Sequence, residues 1–155
     1  MIRNAIVRLA SCVVLSGALS FSAPSKATAQ VPFEELHTTT RAKIRSPKLE
    51  IVTSQDQFVN AWRELGRRDA APPVDFRRQS VVIYFAGVKA TTGYGVAIER
   101  IGVRAGSLEI DVVETIPGDR CGTGQTATFP AVAVLTIPWK HEAEPNLRRV
   151  EHNCN

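Results

Sequence analysis

Few residues of this chain are of a kind that does chemistry, and their spacing narrows what chemistry is open to them. His37, His141 and His152 fall in stretches that read as tail or loop, where imidazole is ordinarily solvated. The chain contains no Gly-x-Ser-x-Gly elbow, no His-Glu-x-x-His pair and no phosphate-cradling glycine loop ahead of a helix. Glu109 and Asp111 alternate with Leu108, Ile110 and Val112, the pattern of an outer sheet face rather than of paired catalytic carboxylates. His152 stands two residues from Cys154, yet no second close Cys/His pair completes a four-ligand metal site. The reading is of a non-enzyme with no cofactor and no metal. What remains is Thr91-Thr92-Gly93-Tyr94, with hydroxyls for local backbone bonds and a glycine free to take positive φ. This four-residue stretch is the candidate partner-binding loop. The alternative is a purely structural turn with Tyr94 in the core.

The elements around it follow from apolar periodicity. Val81-Val82-Ile83-Tyr84-Phe85-Ala86 is too short to span a membrane and suits a central strand buried on both faces. Tyr94, Val96 and Ile98 alternate on one face of a following strand, and the shift to Ile101 and Val103 predicts a bulge. Arg104–Ser107 then turns the chain into a returning strand from Leu108. Upstream, residues 30–40 read as a mobile lead-in, and Leu49 to Val52 as a first strand. Ser54-Gln55-Asp56-Gln57 has the capping-box form and opens a helix whose Phe58, Ala61, Trp62 and Leu65 make one apolar stripe, with Gly66 as its stop. Residues 67–79 are loop, with Phe76 tucked against the core. Thr126–Pro138 reads as a second inner strand whose first part lies outside the ladder because of Pro130. Leu147–Glu151 can add a short last strand. Together these predict an α+β domain: a mostly antiparallel sheet of five to seven strands, or a small sandwich or barrel, with one amphipathic helix packed on it.

The first 29 residues have the form of an export signal: Arg3 and Arg8, the apolar run Ala10–Leu19, and the small-x-small site Ala27-Thr28-Ala29. Residues 1–29 are read as signal, 30–51 as lead-in and first strand, and 52–155 as the main domain. The expected location is periplasmic or secreted. Leu9-Ala10-Ser11-Cys12 offers a lipoprotein alternative through Cys12, but only eight residues precede it, too few for an apolar stretch ahead of the cysteine. Of the 155 residues, removing 29 leaves 126, enough for one core. The formal charge of +4 falls too, since Arg3, Arg8 and Lys26 leave and no acidic residue does. With 16 basic against 15 acidic residues remaining, nucleic acid and anionic membrane are not expected partners, and no membrane insertion follows cleavage. Cys121 and Cys154 are then an even pair in an oxidising compartment. A disulfide between them would close a loop of about 33 residues and stabilise by about 4 kcal/mol.

Asp75-Phe76, the strand ending at Gly87, Thr-x-Gly-Tyr at 91–94, Leu108–Thr115, Pro117-Gly118-x-x-Cys121 and Thr128-Phe129-Pro130 together resemble the C-terminal domain of the protease complex subunit PrcB. The resemblance runs from about Val52 to Trp139, with Thr92 where the family pattern has glycine. It implies a binding module that stabilises a protein partner, a protease among the candidates. Thr91-Thr92-Gly93-Tyr94 is also similar to the first loop of chagasin-like inhibitors of cysteine peptidases. Gly122-Thr123-Gly124-Gln125 and Pro138-Trp139 would then stand for that family's second and third loops, although Lys89-Ala90, Gln125 and Ile137 depart from its pattern. Peptidase inhibition is the alternative function.

Overall fold

The computed structural model describes residues 28–141 and 143–152. In chain order they form β1 (Ala29–Val31), β2 (Glu34–Thr39), β3 (Lys48–Val52), α1 (Gln55–Glu64), β4 (Ser80–Phe85), β5 (Gly95–Arg104), β6 (Ser107–Pro117), β7 (Ala131–Thr136) and β8 (Glu144–His152). Two four-stranded sheets result, ordered β1-β5-β6-β8 and β2-β7-β4-β3. They stack face to face as an open sandwich, not a closed barrel.

Every residue of β4 is buried, because the strand lies inside its sheet and the sheet is covered on both sides. Val82 and Tyr84 point into the cluster shared with Val96, Ile101, Ile110 and Val112 of the facing sheet. Val81, Ile83 and Phe85 point the other way, into a cluster with Phe58, Trp62 and Leu65 of the helical segment. β7 divides likewise, with Val132 and Val134 toward the sheet and the small Ala131 and Ala133 beneath the helix. The layers are thus sheet, sheet, helix.

The helix forms where the capping pattern places it. Ser54 Oγ accepts from the Gln57 backbone N–H at 3.4 Å, while Gln57 Oε1 accepts from the Thr53 N–H at 3.1 Å, one residue earlier than a reciprocal box requires. Gly66 ends it at φ 85°. Phe76 does tuck in, edge-on to Phe58 with ring centroids 6.2 Å apart. The bulge lies between Ile98 and Arg100, and the hairpin turns at Ala105 and Gly106, at φ 51° and 84°, as a tight two-residue turn between twisted strands requires. Pro130 sits ahead of the β7 ladder, where Thr128 and Phe129 make isolated bridges to Lys89 and Arg41.

Three expectations need correction. The lead-in at 30–40 is not a loose segment: β1 pairs with β5, and β2 pairs with β7. Both are edge strands, so one side of each stays in water and tolerates the polar residues that hide their alternation. The described residues hold eight strands rather than five to seven. The last strand spans nine residues and runs parallel to β6, the one parallel pairing in the two sheets. Among the described residues no helix is long and apolar enough to cross a membrane.

Phe58 is fully buried between α1 and the second sheet. Phe58→Ala should destabilise the fold by about 3–5 kcal/mol, measured by urea denaturation. A loss below about 1 kcal/mol would contradict the helix-on-sheet packing.

Candidate functional site

Along β6, Leu108, Ile110 and Val112 face the core, and the same parity brings Glu114 inward, where it is 2% exposed. A carboxylate taken out of water is costly unless its oxygens are paired. Tyr84 donates its hydroxyl to Glu114 Oε1 at 3.1 Å, Lys89 Nζ donates to Oε2 at 3.1 Å, and Arg149 Nε donates to Oε2 at 3.4 Å. Tyr84 belongs to the facing sheet, so its bond ties the two sheets together through the core. Arg149 lies directly opposite Glu114 in the β6–β8 register. Lys89 follows β4 and also sits over the Tyr94 ring, 5.8 Å from its centroid.

Lys89 leads into the predicted loop. Its N–H donates to the Thr128 carbonyl at 2.8 Å, and the Thr128 N–H donates back to the Lys89 carbonyl at 3.0 Å. Thr128 Oγ1 donates to the Thr91 carbonyl at 3.0 Å. Thr92 donates its N–H to the Gly124 carbonyl at 3.0 Å, and its hydroxyl accepts from the Gly124 N–H at 2.7 Å. Gly93 takes φ 93°, and a Cβ there would lie 2.9 Å from Pro117 Cβ. Backbone strain and crowding therefore both select glycine. The result is a loop pinned to residues 122–128 and packed on the end of β6.

Thr91–Tyr94 and Cys121 lie together at one end of the sandwich. Thr91 and Thr92 are half-buried and Gly93 is exposed at the end of the sandwich. Tyr94 is half-buried beneath Lys89, while Val96 and Ile98 enter the core. Cys121 closes a turn at the same end, its N–H donating to the Gly118 carbonyl at 2.9 Å. Its Sγ lies 3.2 Å from the His152 carbonyl oxygen. Cys154 lies outside the described residues, as do Cys12 and the signal through residue 27. Gly122–Gln125 does meet Thr91–Tyr94. Pro138 and Trp139 do not: the Trp139 N–H donates to Ser80 Oγ at 2.8 Å, at the opposite end of β4.

Two histidines depart from their expected setting. His37 is on β2 rather than in a tail, with its ring 5.4 Å from Trp62, and burial followed by the Arg67 charge pushes its pKa down. His152 ends β8 and is exposed. Glu109 and Asp111 do lie on the outer face, where Arg100 Nε donates to Asp111 at 2.6 Å. Glu114 is the residue that sequence reading passed over, although extending the parity of Leu108, Ile110 and Val112 by one step would have found it. With both oxygens engaged, its carboxylate acts as a tie.

Burial, and then the Glu114 charge, push the Tyr84 phenol up to about 12. Its folded pKa thus exceeds the ordinary value of 10.0, so the stability it contributes is present below pH 10 and is lost as pH rises toward about 12. In a phenolate absorbance titration of Tyr94→Phe, the remaining tyrosine should ionise near pH 12, and Glu114→Gln should lower that value without restoring it to normal. Ionisation at the ordinary value in the folded protein would contradict the buried pair.

Residues 80–136, from the first residue of β4 to the last of β7, match the family model described as PrcB C-terminal. The match includes the pinned loop, Glu114 and residues 122–128, and leaves out α1 and β8, a narrower span than the resemblance suggested. No curated protein and no solved structure matches the chain.

Proposed function

We propose that this chain is an exported, non-catalytic binding module, the accessory or stabilising partner of an envelope or secreted protease, with Thr91–Tyr94 at or beside the contact. The observation that carries this reading is the pinning of that loop: its backbone is bonded to residues 122–128 and its base is fixed by Lys89 on Glu114. Loops held this way lose little conformational entropy on binding, so more of each contact appears as affinity. The match over residues 80–136 supports the protease-complex setting, since it contains this end of the sandwich. The inhibitor reading needs three segments gathered at one end, and only two are there, with Trp139 on Ser80 at the other.

A bridge between Cys121 and Cys154 belongs to the same reading, because it would anchor the tail after β8 to the loop that follows β6. Non-reducing peptide mapping of protein recovered from its native compartment should give a linked Cys121–Cys154 peptide. Free thiols at both positions would remove the bridge.

The contact is tested at positions whose side chains make none of the hydrogen bonds described for the loop. Ala90 is exposed, and Thr91 enters those bonds through its carbonyl. Ala90→Arg and Thr91→Arg should leave the thermal melt within a few degrees of wild type while reducing affinity capture of the partner at least about tenfold, a change of 1.4 kcal/mol. An unchanged partner set with the fold intact would show that the loop is only a turn.

A further inference from the structure

Among the described residues the two sheets leave the outer edges of β1, β8, β2 and β3 open. An open edge offers unpaired N–H and C=O groups to another strand, and proteins guard such edges with short strands, bulges or edge charges. β1 has three residues, β2 shifts register between Glu35 and His37, and β3 has five residues with Lys48 and Glu50 among them. β8 is neither short nor bulged: it runs for nine residues in unbroken register with β6. Its two arginines are drawn off the edge. Arg148 reaches over β6 to Glu99 of β5 at 2.8 Å, and Arg149 turns back to Glu114 at 3.4 Å.

Two independent observations define what this edge presents. The His152 carbonyl accepts from the Gly118 N–H at 2.9 Å, so the even-numbered residues of β8 turn their backbone groups toward β6 and the odd-numbered ones turn theirs outward. Leu147, Arg149 and Glu151 therefore hold backbone donors and acceptors that no strand takes. Pro145, with no N–H to offer, falls on the same outward parity, as a proline in an edge strand must. The second observation is apolar. Ile98, Val112 and Leu147 stand side by side across β5, β6 and β8 on the core face. Exposure climbs from 1% at Val112 to 37% at Leu147, because no strand continues the row.

We propose that the chain forms a two-fold dimer in which β8 pairs antiparallel with β8 of a second copy, the axis passing at Leu147. Leu147 then exchanges both backbone bonds with its own counterpart, and its side chain meets the same leucine, so the apolar row continues through the axis. In this register Arg148 stands opposite Asn146 of the second copy, and Arg149 opposite Pro145 of the second copy. An axis at Arg148 or Arg149 would instead set arginine against arginine, which is destabilising. The edge is thus self-complementary at one register, and a second copy is the occupant that its row of side chains fits. The four-stranded sheet becomes one of eight strands. β8 runs toward the loop end, where His152 meets Gly118, so the dimer carries its two Thr91–Tyr94 loops at opposite ends. The pairing does not depend on the loop contact.

Sedimentation equilibrium of the exported protein, from about 1 μM to about 1 mM, should show a monomer–dimer equilibrium. Leu147→Lys, a change at an exposed position, should weaken that equilibrium at least about tenfold while the thermal melt stays within a few degrees of wild type. Leu147→Cys and Val150→Cys, each compared with the parent chain, fix the register. A short thiol-reactive cross-linker should join two copies through position 147 and not through position 150, which the proposed register places about 20 Å from its counterpart. A monomer throughout the concentration range would overturn the proposal. So would a dimer indifferent to Leu147→Lys, a cross-link through position 150, or the absence of one through position 147.

Discussion

Among the described residues Glu114 is the one buried charge, and the geometry of one end of the molecule depends on how it is satisfied. An uncompensated carboxylate at that depth would cost several kcal/mol. Its partners come from three places: Tyr84 within β4, Lys89 beyond the end of β4, and Arg149 on β8. A one-residue slip of β6 would turn Glu114 to the outer face and leave Tyr84 without its acceptor. The buried pair thus specifies register as much as it stabilises, and it draws Lys89 to the point where the loop departs. Replacing the group with an apolar side chain of the same shape need not weaken the sandwich, but it would release the lysine.

The loop inherits its shape from that arrangement. Lys89 is held by its ammonium on Glu114 and by two backbone bonds to Thr128, so the next residues leave the sandwich in a fixed direction. Thr92 and Gly124 then exchange two bonds, and Gly93 turns against Pro117 where any Cβ would collide. The Thr92 hydroxyl does bond backbone, as its residue type suggested, but at Gly124 across the chain rather than within its own turn. What the loop leaves to solvent is the rim at Ala90 and Gly93, with Thr91 half-buried beside them.

Legibility in the sequence followed burial. β4 was readable because six consecutive apolar residues fit only a strand covered twice, and α1 because its cap and its stripe agree. The Ile98 bulge and the hairpin turn were readable from a parity shift and from Ala-Gly between alternating runs. β1 and β2 were not, since edge strands need apolar residues on one face only, and Pro32 separates the two. The parallel placement of β8 was hidden for a different reason: register with a distant strand is a property of the assembled sheet, and Leu147 and Val150 do not alternate. At the candidate loop, residue type pointed to a tightly shaped backbone but not to what holds it. Thr91–Tyr94 could be singled out from residue type, whereas the hydrogen bonds to Gly124 and Thr128 span more than thirty residues of chain.

Glu114 holds the Lys89–Tyr94 end in its folded shape, and amide hydrogen exchange in Glu114→Gln tests this most directly. Faster exchange is expected at Lys89, Thr92, Gly124 and Thr128 and along β8, with α1 and β3 unchanged. Unaltered protection at those four amides, with the variant folded and the Glu114 charge gone, would contradict it.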